Sequence, residues 1–167
     1  MTISMFQASA PLFLRQLDVL STLLDKASAF ATEKGVDPET LTQARLADDM
    51  HPLTRQIQFA TDSAKGAMAR LSGTENPSFP DTETTIDELK ARVGKTRDYV
   101  AGFTADQIDG SEDRAVVIKT PSGDITLAGQ PYLVHFAIPN FLFHATTTYA
   151  ILRQQGVLLG KRDYLGG

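Results

Sequence analysis

Apolar side chains recur every three or four residues through three long stretches of this 167-residue chain, the pattern of amphipathic helices. Phe6, Ala10, Phe13, Leu17, Leu20, Leu24 and Ala27 form the first stripe and predict a helix over about 5–33. Pro11 either kinks that helix or marks its first turn after a short extended start. Gly35 supplies the stop, and Asp37-Pro38-Glu39 reads as a turn or a short helical start. Leu53, Ile57, Ala60, Ala64, Met68 and Leu71 predict a second helix over about 52–71, with Pro52 tolerated in its first turn. Small residues on that face permit close approach of a neighbour, and Gly66 lowers the local propensity without breaking the pattern. The run from Ser72 to Pro80 is a loop.

A third helix starts near Thr84, where Thr85 and Glu88 have the spacing of a capping box. Ile86, Leu89, Val93, Thr96, Val100 and Phe103 face inward along it, and Gly102 marks its end. The period changes after Gly110. Residues 115–120 and 125–128 are short β-prone runs around the turn Pro121-Ser122-Gly123-Asp124, which predicts a hairpin. A lone hairpin is marginal in water, so this one should lie against the helices. The last helix spans about 132–155, with Pro139 as a candidate break and Gly156 as its stop. The pattern therefore gives an all-α class: one domain over 1–167, a four-helix bundle with a small β-hairpin inserted between helices three and four. Mutual burial of the four apolar faces, worth ~25 cal/mol per Å², is the main reason to assemble. Chain entropy offsets most of it.

Composition narrows the functional classes. Apolar residues make up 42% of the chain, and 16 basic against 20 acidic residues leave a formal charge of −4. That balance, with no basic run longer than Lys161-Arg162, argues against nucleic acid as a partner. Cysteine is absent, which excludes disulfides, thiolate metal sites and cysteine nucleophiles. Pro11, Arg15, Gln16 and Asp18 interrupt the N-terminal apolar stretch, so neither a signal peptide nor a membrane span is expected. The default location is cytoplasmic.

The polar residues with a look of chemistry are few. Asn140 and His144 lie one turn apart in the aromatic stretch Pro139-Asn140-Phe141-Leu142-Phe143-His144, so both can face one cleft. His144 reads either as a metal ligand or proton-transfer group, or as a core residue whose nitrogens are satisfied by neighbours. Asn140 is suited to bind a substrate or a water, or to cap the helix after Pro139. Asp48, Asp49 and His51 precede the second helix. One of the aspartates is expected to cap that helix, in preference to a carboxylate–imidazole pair of Asp49 and His51. Gln56, one turn further on, needs a partner if it is buried. His135 reads as a surface or hinge residue, and Arg153 as a cation placed favourably near a helix C-terminus. The tail from Gly156 to Gly166 either packs over the bundle and closes one end of the cleft, or is a partly ordered surface segment. No zinc-protease His pair, Gly-rich nucleotide loop or Ser-centred nucleophile elbow is present.

Three segments carry a resemblance: Leu46-Ala47-Asp48-Asp49-Met50-His51-Pro52-Leu53 with Gln56; Pro139 to His144; and Tyr149 to Arg153 continuing through Gly156-Val157 and Gly160 to Gly166. Together they resemble the bacterial DUF1993 family, related to the DinB/YfiT-like metalloenzyme superfamily, over nearly the whole chain. The resemblance implies an up-down-down-up four-helix bundle, often a homodimer. It also implies a divalent metal held by three histidines, one on the second helix and two four apart on the last. His144 matches the second of that last pair, while Asn140 stands where the first would be. On the second helix either His51 or a register centred on Gln56 corresponds. A set of His51, Asn140 and His144 would be a degenerate site for zinc, nickel or manganese, weakened by the loss of imidazole donors.

Two classes of function follow. One is a DinB-like protein with a small-molecule cleft lined by Asn140, His144, Gln56 and Asp49 and no demonstrated reaction. The other is a divalent-metal-dependent hydrolase or small-molecule transferase, with His144 as ligand or general base and Asn140 orienting the substrate.

Overall fold

The first helix, α1 (Met5–Lys34), is set by a capping box in which Ser4 and Gln7 satisfy each other's backbone amides. The computed structural model to which it belongs describes residues 2–120 and 122–167. Pro11 lies inside α1 rather than in its first turn, and the helix ends at Gly35 in the left-handed region. A one-turn helix, α2 (Pro38–Thr42), follows, capped by Asp37. Then come α3 (Leu53–Ser72) and α4 (Ile86–Ala101), the latter closed by the expected Thr85–Glu88 box and ended at Gly102. The helix expected over 52–71 is thus found within one residue. Its expected cap is not. Pro52 occupies the N-cap of α3 with no side-chain bond, and Asp48 and Asp49 are both exposed on the preceding turn. A backbone bond from Leu53 to the Ala44 carbonyl orders the helix start instead.

Beyond α4 lie α5 (Ala105–Ile108), the strands β1 (Ala115–Thr120) and β2 (Gly123–Ala128), α6 (Gly129–Tyr132), a π-helical turn over Leu133–Ala137, α7 (Ile138–Gln154) and α8 (Lys161–Leu165). The hairpin is antiparallel, with Ala115 opposite Ala128 and Thr120 opposite Gly123. Pro121 of the expected turn lies outside the described residues. Strand β2 begins earlier than the alternation indicated, at Gly123, whose φ of 122° favours glycine. Val116 and Ile118 point into the core. The base of the hairpin is pinned where Gly129 crosses Ser111: a Cβ at Gly129 would overlap the Ser111 carbonyl, and Gln130 N–H donates to the Glu112 carbonyl.

Side-chain partners fix the directions of the four long helices. Asp18 meets Arg97 and Asp25 meets Lys90, so α1 and α4 are antiparallel. Gln56 meets His144, Ser63 meets Asn140 and Arg70 meets Tyr132, so α3 and α7 are antiparallel as well. Phe13 packs on Phe141 while Phe30 adjoins Gly156, which makes α1 and α7 parallel. The order is therefore up-down-down-up.

Two parallel neighbours, α3 and α4, need a chain that returns to the start of α3, and residues 73–85 supply it. Polar side chains hold them there. Buried Lys65 donates to the Pro77 carbonyl and lies 4.4 Å from the Phe79 ring centre. Arg92 is only 3% exposed and reaches Thr61, the Pro80 carbonyl, Asp62, Asp81 and Glu83, all within 3.1 Å. Gln58 bonds Glu83, and Arg55 bonds Asp81.

Pro139 does not break the last helix, which runs unbroken in its winding from α6 through the π turn into α7. Inside an α-helix a proline loses one bond and its ring crowds the carbonyl four residues back. The widened turn just before it, where Ile138 N–H donates to the Leu133 carbonyl, absorbs that conflict. The turn also adds a step of five to the helical spacing. Tyr132 thereby joins Ala137, Asn140 and His144 on one side.

Candidate functional site

Three polar rungs join α3 to α7, and a cleft of about 370 Å³ opens along them. On α3 the rungs start from Gln56, Ser63 and Arg70, spaced seven apart and so on one face. On the opposite side they end on His144, Asn140 and Tyr132. Phe59 and Phe136 supply apolar walls, and Asp62 also lines the cleft.

The first rung has a defined proton arrangement. Gln56, 2% exposed, donates from Nε2 to the His51 carbonyl at 2.9 Å. A carbonyl only accepts, so the amide oxygen Oε1 must face His144, whose Nδ1 lies 2.8 Å away. His144 therefore carries its proton on Nδ1 and leaves Nε2 as a lone-pair acceptor. Burial first, and the neighbouring His51 second, push the His144 pKa down to about 4. The ring is neutral at pH 7. Phe59 packs against both imidazoles, with centroids 5.1 Å from His51 and 5.0 Å from His144.

At the second rung Asn140 Nδ2 donates to Ser63 Oγ at 2.7 Å, and the Ser63 hydroxyl donates to the Phe59 carbonyl. This uses one amide proton of Asn140 and leaves its carbonyl oxygen unused among the described residues. The third rung places Arg70 Nη1 3.2 Å from the Tyr132 hydroxyl oxygen. Burial raises the Tyr132 pKa while Arg70 opposes that shift, so the phenol stays protonated at neutral pH.

Of the residues singled out from the sequence, Gln56, Asn140 and His144 come together on the two facing helices. His51 joins them at the rim, exposed, through its carbonyl and the Phe59 contact. Gln56 lies behind the cleft wall and acts on it only through its bond to His144, and Asp49 does not line it, nor do His135 or Arg153, which are exposed. The tail packs on the bundle but does not close the cleft: Asp163 pairs with Lys26, Arg15 bonds the Leu165 carbonyl and Tyr164 bonds Thr146. Ser63, Arg70, Tyr132 and Phe59 were not anticipated. The seven-residue line from Gln56 through Ser63 to Arg70 was the available signal for the first two.

The donor set can be compared with a three-imidazole metal site. It offers Nε2 of His144, a neutral amide oxygen and the exposed His51 ring. Among the described residues no group of three or more His, Cys, Asp or Glu is placed to hold a metal ion. These residues do not fit the three-histidine pattern, because the Asn140 amide is a weak neutral donor where an imidazole would stand.

Helix order, inserted hairpin and this inter-helical cleft define the class: a DinB/YfiT-like helical bundle. A solved structure with the same fold, a DinB family member protein from Shewanella denitrificans, has 39% sequence identity and a TM-score of 0.89. That likeness covers 97% of this chain and 92% of the other. The domain of unknown function DUF1993 matches residues 5–165, and the chain belongs to the DUF1993 family. No curated protein matches it. No helix among the described residues is long and apolar enough to cross a membrane.

Proposed function

We propose that this chain is a cytoplasmic small-molecule-binding protein whose cleft between α3 and α7 receives an organic ligand without a bound metal. The observation that carries this reading is the fixed neutral tautomer of His144. Gln56 holds Nδ1–H, and the cleft is left with two acceptors unused among the described residues, His144 Nε2 and Asn140 Oδ1. Aromatic walls beside a few placed polar groups are the usual make-up of a small-molecule site. A metal-dependent hydrolase or transferase would need a better third donor than the amide that stands there.

Titration with a panel of small alcohols, amides and acids, followed through the backbone amide signals of Ser63, Asn140 and His144, tests the reading. Cleft-centred shifts that disappear in Asn140→Ala are expected. A panel that leaves those signals unmoved would contradict it. Elemental analysis after exposure to zinc, nickel and manganese separates the alternative: one metal per chain, lost in His144→Ala, would replace the metal-free reading.

A homodimer is the second part of the proposal. Phe136 and Phe143, seven apart on the last helix, are 37% and 57% exposed on one face with Pro139 between them. Such a stripe suits a second copy of the chain. Sedimentation equilibrium should give twice the chain mass, shifting to the monomer in Phe143→Glu; a monomeric wild type would remove this part.

A further inference from the structure

Beside Tyr132 the cleft holds a cation with no ion pair among the described residues. Among the described residues Arg70 forms no ion pair; its one polar partner is the Tyr132 oxygen. The nearby charges are already committed, since Asp62 pairs with Lys65 at 3.0 Å and Arg92 at 3.0 Å. Tyr132 is 1% exposed, and having accepted from Arg70 it keeps a phenolic proton with no acceptor among the described residues. A buried donor without a partner is costly, and here it lies beside a free guanidinium. Gly66 makes the arrangement possible: a Cβ there would overlap Arg70 Nη1, so the guanidinium folds back over a bare stretch of helix.

We propose, resting on the small-molecule reading above, that Arg70 and Tyr132 form a carboxylate clamp, so that the cleft takes a monocarboxylate with an aromatic or aliphatic body. The carboxylate accepts from the Arg70 fork and from the Tyr132 hydroxyl, the charge-assisted geometry that suits guanidinium best. The body runs between Phe59 and Phe136 toward Asn140 and His144, where a distal hydroxyl or amide proton finds acceptors. A dianion is disfavoured: the clamp has one cation, Asp62 lines the same cleft, and the chain carries a net charge of −4. Neutral His144 offers no competing cation, which gives the ligand one orientation.

The probes are 3-phenylpropanoate, its isosteric primary amide and phenyl phosphate, titrated calorimetrically into the full chain at pH 7. The acid should bind about tenfold more tightly than the amide, as charge-assisted pairing implies, and more tightly than the phosphate. Arg70→Gln should abolish the acid's advantage while leaving the amide's affinity within about twofold, since only the charge-assisted contact is removed. Tyr132→Phe should reduce that advantage in part, and thermal unfolding midpoints check that both variants are folded. Equal binding of acid and amide, or an advantage that survives Arg70→Gln, would overturn the clamp and leave the cleft standing. Tighter binding of the phosphate would overturn the monocarboxylate assignment. Absence of binding by all three, with Ser63, Asn140 and His144 signals unmoved by them and by the wider panel, would remove clamp and cleft together.

Discussion

Helix α3 carries polar groups on two sides, and they are handled in opposite ways. Toward α4 and the return segment 73–85, the buried charges are consumed: Arg92 serves three carboxylates, Lys65 serves Asp62 and the Pro77 carbonyl, and Gln58 bonds Glu83. Toward α7 the groups are mostly neutral and only partly used. His144 keeps Nε2, Asn140 keeps Oδ1, and Arg70 keeps most of its fork. Saturated polar networks specify one chain path, whereas leftover hydrogen-bonding capacity inside a concave surface marks a place for something else. Burial alone would have pointed to the wrong side, because Arg92 is the most deeply buried cation yet has nothing left to offer a ligand.

Substitutions on the two sides should therefore separate stability from binding. The largest expected effect is Arg92→Ala, a loss of about 3 kcal/mol in chemical denaturation. This is the lower end for a broken buried pair, because Asp62 and Asp81 keep contact with solvent. A loss below about 1 kcal/mol would mean that the return segment is held by something else. Next comes Gln56→Leu, which strands the His144 Nδ1–H and the His51 carbonyl. It should cost about 1–3 kcal/mol and free the tautomer. Asn140→Ala removes one neutral hydrogen bond while Ser63 keeps its own bond to Phe59. About 1 kcal/mol or less is expected, together with loss of cleft binding. If Asn140→Ala destabilises as much as Arg92→Ala, the contrast between the two sides fails.

A further effect is read against pH. The His144 pKa falls from 6.5 in the unfolded chain to about 4 in the fold, so between these values the unfolded state binds more protons. Its contribution to stability is complete above pH 6.5 and is lost as pH falls toward 4. Comparing wild type with His144→Gln at pH 7 and pH 4.5 isolates this slope; equal slopes would deny the burial-driven shift.

Much of the bundle was legible in the sequence because its information is local. Stripes of Leu and Ala, the Thr85–Glu88 box and the Gly35 and Gly102 stops each act within a few residues, and each is found as expected. Three features were not local. The aspartates before α3 looked like caps, but the backbone bond from Leu53 to Ala44 had already ordered that start. Pro139 looked like a break, but a π turn upstream accommodates it, and propensity has no way to foresee that register change. Arg92 lies on the stripe of Leu89 and Val93 and gave no sign that a distant loop would supply its carboxylates. The pair of Asn140 and His144 could be read from helical spacing, and Gln56 from its need for a partner. Arg70 was on offer through its seven-residue spacing from Gln56 and Ser63, but its pairing with Tyr132 was not, since the two meet only after two helices pack and the π turn rotates one of them.

The side-chain nitrogens of His144, observed by long-range proton–nitrogen NMR across a pH titration, test the central claim most directly. A protonated Nδ1 and an unprotonated Nε2 are expected at pH 7, with a midpoint near 4. A proton on Nε2, or a midpoint near the ordinary 6.5, would show that Gln56 does not hold the ring and that the cleft lacks the free acceptor on which its function is argued.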